Sequence, residues 1–399
     1  MAGTPSIRPC WVEINTRAFE ENFRLLATAA APQAELLAIV KADAYGHSLA
    51  HCAPAAIRAG ARWLGVTSVE EGVAARALCP DARVLAIAGV FPGQGPAVLA
   101  HQLTPVVWDA AHFDELEAAA RAVGAMHQSV PVHLEIDTGM SRQGIAPGEL
   151  SSALNRFTPD SPLRLDGILT HLFAADEADG RITSEQLATL KSALQAVASS
   201  GLQPEWLNVG NSAALLGGLA PAIGALAARF GMKALLRPGL ALYGLAPQLD
   251  GAAEDTHNPN RSVLASQLQP VLNWKSQVVS VRQLTAGDSV GYNATFVATE
   301  PMRIALVAAG YADGLTRSLG NRFALLVRGQ RAPLVGRISM DQAVIDVTEV
   351  PGVEAGDEVV LLGTQGVESI SAFDHAAIAG TIPWEIFTRI GPRVPRIVV

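Results

Sequence analysis

The stretch "ELLAIVKADAYGH" spans residues 35–47 and joins an apolar segment directly to a lysine. Leu36 to Val40 form an uninterrupted apolar run, which is typical of a strand buried on both faces of a parallel sheet. Lys41 follows at once, although lysine is among the side chains least often fully buried without a partner. Taken alone, a lysine at this place is a solvated charge at a strand end or a functional residue, and the ends of the other strands bear on the choice.

Seven further apolar runs follow, separated by segments in which apolar residues recur every three or four positions. The runs are 63–67, 83–89, 104–108, 130–137, 164–172, 206–210 and 237–244. The intervening segments, such as "SEQLATLKSALQAVASS", predict amphipathic helices. Eight such units predict an α/β fold, a parallel (β/α)8 barrel of the TIM type over residues 15–246. A doubly wound sheet is the competing fold, and the lack of a glycine-rich dinucleotide fingerprint weighs against it.

The remaining segments differ in character from the barrel region. Residues 216–236 make a long connection before the eighth run, and their pattern fits either an extra helix or a lid. Residues 247–262 are polar and rich in turn formers, which predicts a linker or mobile loop. Short strand-like pieces over 263–399 predict a smaller C-terminal all-β domain, and we expect the strand-like segment 10–14 to pack with it.

Composition excludes several classes of function. The 399 residues are 49% hydrophobic and 17% charged, which is typical of a globular enzyme with a large core. The net charge of −8 and the lack of a basic cluster argue against a nucleic-acid partner. No run is long enough to span a membrane, no leader segment is visible, and the three cysteines show no disulfide spacing. We therefore expect a cytoplasmic protein without a membrane partner.

Polar residues recur at the ends of the predicted strands, where TIM barrels place their active sites. Besides Lys41, they are Arg142, His171, Asn211 and Ser212, and Arg237 lies at the start of the predicted eighth strand. Nearby arginines would lower the pKa of the lysine, because like charges disfavour its ammonium form, and a neutral amine can form a Schiff base. The loops "VGNSAALL" and "RPGLALYG" offer backbone N–H groups to a phosphate. A Schiff-base lysine beside a phosphate cradle predicts pyridoxal phosphate. No metal is expected, since His47 and His51 lack a third ligand.

Nine motifs resemble those of the alanine racemase family and occur in its order. They are "VKADAYGH", "DTGMSRQG", "THLFAAD", "GNSAA", "RPGLALYG", "VGYNATF", "GYADG", "VGRISMDQ" and "TIPWEIFTRIGPRVPRI". The resemblance covers residues 11–399. It implies a fold-type III isomerase that uses pyridoxal 5′-phosphate to interconvert the L and D forms of alanine, a small amino-acid substrate. It also implies a homodimer with active sites shared between subunits, and D-alanine supply for peptidoglycan.

The resemblance implies two opposed catalytic bases. Lys41 would hold the cofactor covalently and act on the D side, and Tyr292 of a second subunit would act on the L side. Arg237 would donate to the pyridine nitrogen, and His171 would link Arg237 to Tyr292. Since a guanidinium keeps its proton, an arginine at this place would leave the ring a weak electron sink, which disfavours transamination.

The resemblance also implies two sets of binding residues. The cofactor would be held by Tyr45, Asn211, Ser212, Gly239, Leu240 and Trp384, in addition to Lys41 and Arg237. The substrate would be bound by Arg142, Tyr311, Met340 and Asp341. Arg142 would also contact the phenolate of the cofactor.

The chain departs from the family at three places. Glu135 stands where many members have a lysine that becomes a carbamate and braces the arginine equivalent to Arg142, and we expect Glu135 to supply that negative charge without modification. Trp384 stands where many members have a phosphate-binding tyrosine. Ser339 and Phe296 replace a cysteine and a tyrosine found in some members, so they bear on strictness for alanine.

Three other functions share parts of this pattern. A serine or broad-spectrum amino-acid racemase of the same fold is the first alternative. A pyridoxal-phosphate carrier built on the same barrel is the second, although such carriers lack the β domain that contains Tyr292. A decarboxylase is the third, and Arg237 argues against it because those enzymes place an acidic group at the ring nitrogen.

Overall fold

The computed structural model describes residues 8–125, 127–177, 179–247 and 259–399. The chain divides into two compact units. The barrel unit comprises residues 17–44 and 52–269, and the sheet unit comprises the described residues up to 16 together with 45–51 and 270–399.

Nineteen strands and thirteen helices are present in the described residues. The strands are β1 (Cys10–Ile14), β2 (Ala34–Ile39), β3 (Trp63–Val66), β4 (Arg83–Ala86), β5 (Thr104–Val107), β6 (Val130–Glu135), β7 (Leu163–Leu169), β8 (Trp206–Asn208), β9 (Lys233–Leu236), β10 (Leu272–Leu284), β11 (Ser289–Val290), β12 (Phe296–Val297), β13 (Met302–Val307), β14 (Ala324–Val327), β15 (Gln330–Pro333), β16 (Ala343–Asp346), β17 (Glu358–Gln365), β18 (Glu368–Ile370) and β19 (Arg396–Val398). The helices are α1 (Thr16–Ala30), α2 (Lys41–Tyr45), α3 (Leu49–Arg58), α4 (Val69–Leu78), α5 (Gly95–Ala100), α6 (Ala110–Ala122), α7 (Leu150–Leu154), α8 (Arg181–Ser199), α9 (Ser212–Leu216), α10 (Ala220–Arg229), α11 (Pro259–Ser266), α12 (Ala372–Ala379) and α13 (Pro383–Thr388).

The barrel unit is a closed ring of eight parallel strands, β2 to β9. The ring closes where β9 pairs with β2, with Ala234 opposite Ala34. Most strand residues are buried, because a parallel barrel is covered by helices outside and filled by side chains inside. This burial explains the continuous apolar runs, and it confirms the predicted TIM-type barrel.

The predicted position of the eighth barrel strand, 237–244, is wrong. The eighth strand is β9, and residues Leu240–Tyr243 form a 3-10 turn. Pro238 has no N–H for a strand ladder, so pairing stops before it, and the apolar run that precedes Arg237 forms the strand instead. The long connection 216–236 is therefore α10 and β9 themselves, and Arg237 follows the carboxyl end of its strand rather than opening it.

The sheet unit is built on a nine-stranded sheet. Its main path is β15, β14, β17, β10, β1 and β19, while β13 pairs with β10 and β16, and β18 pairs with β17. β1 runs antiparallel to β10, with Cys10 opposite Ser276, and parallel to β19. The N-terminal strand is thus a central member of the C-terminal sheet.

The sheet unit also contains two short helices besides its strands. Ser371 caps α12 through a capping box with Asp374, and Pro383 opens α13. The predicted C-terminal β domain is confirmed as mostly β. Of the predicted linker 247–262, residues 248–258 lie outside the described residues, and α11 begins at Pro259. Within the described chain, no helix is both long and apolar enough to cross a membrane.

Candidate active site

Lys41 opens a left-handed turn, α2, directly after β2. Residues 42–45 have φ angles between 51° and 55°, and none of them is glycine. The left-handed conformation costs an L-residue roughly 1–2 kcal/mol, so four in a row store considerable strain. Such strain persists only where the surrounding structure over-determines it, most often at functional sites. The turn therefore marks Lys41 as the start of a constrained site.

The carboxylate of Glu71, on α4, braces this turn. Its Oε1 accepts the backbone N–H of Ala42 at 2.7 Å, and its Oε2 accepts that of Thr67 at 2.7 Å. A hydrogen bond to a charged acceptor contributes about 1.5–3 kcal/mol. Glu71 was not among the predicted residues, because "SVEE" predicts only a capping box in which Glu71 would return to Ser68. In the structure Ser68 caps the helix, but Glu71 reaches across to the turn of Lys41.

The amine of Lys41 lies among cations. Burial lowers the pKa of Lys41, Arg142 and Arg237 lower it further, and Glu71 opposes them. The direction is the one expected from the sequence, although burial rather than the arginines is its largest cause. A lowered pKa makes the neutral, nucleophilic amine more abundant near neutral pH.

Arg237 is buried, and its guanidinium donates to four acceptors. Nη1 donates to Asn208 O at 2.7 Å and to Asn208 Oδ1 at 2.6 Å, and Nη2 donates to Thr170 O at 2.8 Å and to His171 Nδ1 at 3.2 Å. Burial lowers the pKa of Arg237 to about 10, so it stays charged at neutral pH. Among the described residues none accepts from Nε–H. Arg237 thus keeps one donor for a group beyond the protein.

His171 follows β7 and is a neutral imidazole. Burial lowers the pKa of His171 to about 3, with further contributions from the nearby cations Arg237, Arg142 and Lys41. The four side chains His171, Arg237, Arg142 and Lys41 thus share one region at the carboxyl ends of the barrel strands. This convergence is the arrangement expected from the sequence.

Gln186, on α8, fixes the loop that carries His171. Its Nε2 donates to His171 O at 2.9 Å and to Thr138 Oγ1 at 3.0 Å, and its Oε1 accepts the N–H of Phe173 at 3.1 Å. Gln186 is buried, so these bonds compete little with water. Gln186 was not among the predicted residues, and only its polarity on a buried helix face could have indicated it.

Glu135 lies at the end of β6 and is almost fully buried. Its Oε2 accepts the side-chain amide of Gln143 at 2.5 Å. Burial raises the pKa of Glu135, while Gln143 and the charges of Arg237 and Arg142 oppose the rise. The carboxyl group is thus placed within electrostatic reach of both arginines, and Arg142 itself is exposed.

The predicted phosphate residues of the barrel unit come together around Ser212. Ser212 Oγ accepts the backbone N–H of Gly239 at 2.9 Å and that of Ala241 at 3.2 Å. Asn211 caps α9 by accepting from Ala214 N–H at 3.0 Å, and its Nδ2 donates to Leu172 O at 2.9 Å. Leu240 follows Gly239 at the start of the 3-10 turn. The two loops that were expected to cradle a phosphate are therefore neighbours.

The sheet unit contains the other predicted site residues. Tyr45 ends α2 and is buried, and burial raises the pKa of Tyr45 to about 12, so its phenol stays protonated. His47 Nδ1 lies 2.8 Å from Tyr45 O, and the His47 ring packs edge-on against Phe387 at 4.8 Å between centroids. Phe387 lies on α13, the helix that also carries Trp384. Tyr45 and the helix of Trp384 are thus linked through His47.

Three apolar site residues of the sheet unit are exposed. Tyr292 is 65% exposed, Met340 53% and Tyr311 42%. Tyr311 N–H donates to Ser339 O at 3.0 Å, so Tyr311 lies beside the loop that carries Met340. Tyr292 opens a 3-10 turn after Gly291, which adopts a positive φ of 73° and approaches the backbone of Arg337.

The loop of Met340 and Asp341 is held by a buried carboxylate. Asp313, fully buried, accepts from Arg8 and from Arg393 Nε at 2.7 Å. Arg8 also donates to Asp341 O at 2.7 Å, and Arg393 pairs with the Asp341 carboxylate at 2.8 Å. Burial would raise the pKa of Asp313, but the hydrogen bonds from Arg8 and Arg393 keep it below its usual range. Arg8 and Arg393 were not among the predicted residues.

Comparison with known proteins identifies the family. Residues 14–247 match the alanine racemase N-terminal domain, and residues 271–398 match the alanine racemase C-terminal domain. This chain belongs to the alanine racemase family. The predicted family and enzyme class, an isomerase, are therefore confirmed.

Relatives cover nearly the whole chain. An alanine racemase of Sorangium cellulosum is 38% identical over 402 residues, which cover 98% of this chain and 99% of the relative. The crystal structure of alanine racemase from a D-cycloserine producing Streptomyces lavendulae superimposes with a TM-score of 0.86 at 32% identity, covering 99% of this chain and 98% of that one. An alanine racemase from Bartonella henselae, solved with covalently bound pyridoxal phosphate, has a TM-score of 0.82 at 28% identity and covers 98% and 99% of the two chains.

Proposed function

We propose that this enzyme interconverts L- and D-alanine with pyridoxal 5′-phosphate as its cofactor, and that Lys41 and Tyr292 are its two bases. The observation that carries the proposal is the environment of Arg237. Its charge is buried, four of its N–H bonds are engaged by the protein, and Nε–H is left as a donor that cannot release its proton. Among the described residues, no carboxylate hydrogen-bonds to Arg237.

The residues present fit this cofactor. Lys41 offers an amine for the aldehyde, Arg237 offers a donor for the ring nitrogen, and Ser212, whose Oγ accepts from Gly239 and Ala241, offers its O–H for the phosphate. When bound, pyridoxal phosphate acts as an electron sink that acidifies the Cα proton of an amino acid. With arginine at the ring nitrogen this sink would be shallow, which favours rapid reprotonation at Cα over transamination.

Each proton transfer takes place between the Cα of the substrate and one of two side chains of the protein. From L to D, the phenolate of Tyr292 accepts the Cα proton, and the ammonium of Lys41 donates a proton to the opposite face. From D to L, the neutral amine of Lys41 accepts the proton and the phenol of Tyr292 donates one. Arg142 would bind the substrate carboxylate, with Glu135 supplying a negative charge behind it.

Tyr292 would act in the site of a second copy of the chain. A base that is 65% exposed in one chain is poorly shielded from water, and Tyr311 and Met340 of the same unit are exposed as well. All three residues need a surface that covers them and excludes water. A homodimer in which each sheet unit closes the barrel site of its partner would supply that cover. Trp384 and Tyr45 would complete the phosphate contacts, and Met340 and Asp341 would border the substrate.

The product, D-alanine, would feed peptidoglycan synthesis. Synthesis would take place in the cytoplasm, which agrees with three cysteines, Cys10, Cys52 and Cys79, that are all buried thiols.

A cofactor spectrum combined with a racemisation assay tests the proposal. The protein loaded with pyridoxal phosphate should show a visible absorption band and convert either alanine enantiomer to a mixture. Lys41→Ala should lose the band and the activity, and Lys191→Ala, an exposed lysine on α8, should keep both. A band that persists in Lys41→Ala would remove Lys41 from the proposed role.

Substrate and product assays separate the alternatives. Alanine should react faster than serine, lysine or arginine, and no carbon dioxide should be released. Comparable rates on serine or the basic amino acids would indicate a broad-spectrum racemase, for which the residues Ser339 and Phe296 would be responsible. Release of carbon dioxide would indicate a decarboxylase, and cofactor binding without turnover would indicate a carrier.

A further inference from the structure

A column of polar side chains runs from Arg237 through the interior of the barrel unit. Asn208 Oδ1 accepts from Arg237 Nη1 at 2.6 Å, and Asn208 Nδ2 lies 3.4 Å from His133 Nδ1. His133 Nε2 faces Asp166 Oδ2 at 3.6 Å. Asp166 is in turn paired with Arg83, at 2.6 Å, and with Arg164.

The three middle members of the column are completely buried. Asn208, His133 and Asp166 each have 0% exposure, whereas Arg83 and Arg164 keep 35% and 43% of their side chains exposed. The column thus connects the buried guanidinium of the active site to two solvated arginines. Burying this many polar groups inside an otherwise apolar barrel is costly unless their hydrogen bonds are used.

The direction of every proton in the column follows from Arg237. Arginine only donates, so Asn208 must present its carbonyl oxygen to Arg237 and its amide NH2 to His133. His133 Nδ1 is then an acceptor, and the neutral ring carries its proton on Nε2, toward Asp166. Burial lowers the pKa of His133 and keeps the ring neutral, although Asp166 opposes the shift.

The surrounding core is shaped to hold His133. A Cβ at Gly167 would lie 2.7 Å from the His133 ring, so only glycine leaves room for it on β7. Trp63 packs edge-on against the ring at 5.6 Å, and the guanidinium of Arg83 lies 3.9 Å from the Trp63 ring centroid. The ring is therefore fixed in place by packing as well as by Asn208.

We infer that His133 is a positioning residue for Arg237, acting through the side-chain amide of Asn208. By accepting from Asn208 Nδ2, His133 prevents the amide from rotating and keeps Asn208 Oδ1 toward Arg237. Without it, the amide could turn its NH2 toward the guanidinium, and Arg237 would lose an acceptor and move from the ring nitrogen it is proposed to bind. This inference rests on the proposed function and deepens it.

A double-mutant cycle on cofactor affinity tests the inference. The variants are His133→Phe, which keeps a ring but removes the acceptor, Asn208→Leu, and the pair. The dissociation constant of pyridoxal phosphate is measured by titrating the full-length protein. Each single change should weaken binding about tenfold, as expected for one hydrogen bond to a charged group, and the pair should be no weaker than Asn208→Leu alone.

Trp206→Phe is the matched control. Trp206 lies on β8 beside Trp63, at 5.6 Å between ring centroids, and its Nε1 has no hydrogen-bond partner in the described residues. This change alters the same core and the ring that faces Arg83 at 5.8 Å, but it leaves the hydrogen bonds of Arg237, Asn208 and His133 in place, so it should change cofactor affinity less than twofold. Its effect should also add to that of Asn208→Leu instead of overlapping with it.

His133→Gln keeps the test decisive if His133→Phe does not fold. Glutamine offers an acceptor to Asn208, so this variant should recover most of the lost affinity. The absorption maximum of its bound cofactor should match that of the unmodified protein. Unchanged affinity in both His133 variants, or additive effects in the cycle, would overturn the inference. A wild-type protein that binds no pyridoxal phosphate would instead refute the proposed function.

Discussion

His171 and Arg237 share a hydrogen bond, from Arg237 Nη2 to His171 Nδ1 at 3.2 Å, that decides which imidazole nitrogen carries the proton. Since an arginine only donates, Nδ1 is the acceptor, and the neutral ring carries its proton on Nε2. The pKa of about 3 keeps His171 in this form throughout the physiological range. His171 therefore has an Nε2–H donor to offer, and a donor favours the phenolate form of a tyrosine such as the proposed base Tyr292.

The first prediction concerns Tyr292 and the two faces of the substrate. Tyr292→Phe should lower racemisation by at least about a hundredfold, because a general base is removed. The variant should still exchange the Cα proton of D-alanine with deuterium oxide, since Lys41 is the proposed base on that face, but not that of L-alanine. Proton NMR of each enantiomer measures the exchange.

Tyr311→Phe provides the comparison for this experiment, because Tyr311 is also exposed in the same unit and its predicted role is substrate binding and not proton transfer. It should allow exchange of both enantiomers. If Tyr292→Phe exchanged L-alanine and D-alanine equally, Tyr292 would not be the base on the L side.

The second prediction concerns the brace on the left-handed turn. In Glu71→Gln, either Ala42 N–H or Thr67 N–H would face the NH2 group of the glutamine and lose its hydrogen bond. The turn of Lys41 should therefore be destabilised by about 1–3 kcal/mol. We expect a lower free energy of unfolding in urea and roughly tenfold slower attachment of pyridoxal phosphate. The attachment rate is measured from the growth of the absorption band of the bound cofactor.

Glu70→Gln is the matched control, since Glu70 is the adjacent exposed residue and its Oε1 accepts from the side chain of Gln94 at 2.7 Å. The Glu70→Gln variant should attach pyridoxal phosphate at the same rate as the unmodified protein. Equal behaviour of the Glu70 and Glu71 variants would show that the brace does not influence Lys41.

The third prediction concerns the charge of Glu135. Glu135→Gln keeps the shape and an acceptor for Gln143 but removes the negative charge near Arg142 and Arg237. The KM for alanine should rise about tenfold, and the affinity for pyridoxal phosphate should fall. The exposed Glu185 of α8 serves for comparison, and Glu185→Gln should change neither quantity. If Glu135→Gln changed neither the KM nor the cofactor affinity, Glu135 would not supply the negative charge proposed for it.

The fourth prediction concerns stability in acid. The folded pKa of His171 is about 3, below the value of about 6.5 expected when unfolded, so the unfolded chain binds more protons between these values. Stability therefore falls as the pH drops below about 6.5. From pH 7 to pH 5 this one group should cost about 2 kcal/mol.

His171→Asn should remove that part of the loss, measured by urea unfolding at both pH values. His127→Asn, at an exposed position, should leave the difference between the two pH values as in the unmodified protein. A His171 variant with the same pH dependence as the unmodified protein would contradict the neutral buried imidazole.

Much of the fold could be predicted from local sequence patterns. Seven of the eight barrel strands lie within or overlap their predicted runs, because a parallel strand must be apolar on both faces. The eighth was misplaced because the apolar residues before Arg237 were assigned to a connection and those after Pro238 to a strand. Two facts distinguish these two assignments. Pro238 lacks the N–H that a strand needs, and the residues before Arg237, β9, pair with β2.

The residue types that carry the proposed chemistry were also visible in the sequence, since each lies in a short motif next to a strand end. The sequence by itself determined the barrel, the mostly β second unit and the family. The tertiary structure alone revealed Glu71, Gln186, Asn208 and His133, which hold the named residues in place. These contacts join different strands and helices, separated by 15 to 75 residues along the chain, and local patterns carry no information about such pairs. Closing the barrel brings them together, because the register of neighbouring strands determines which side chains meet inside it.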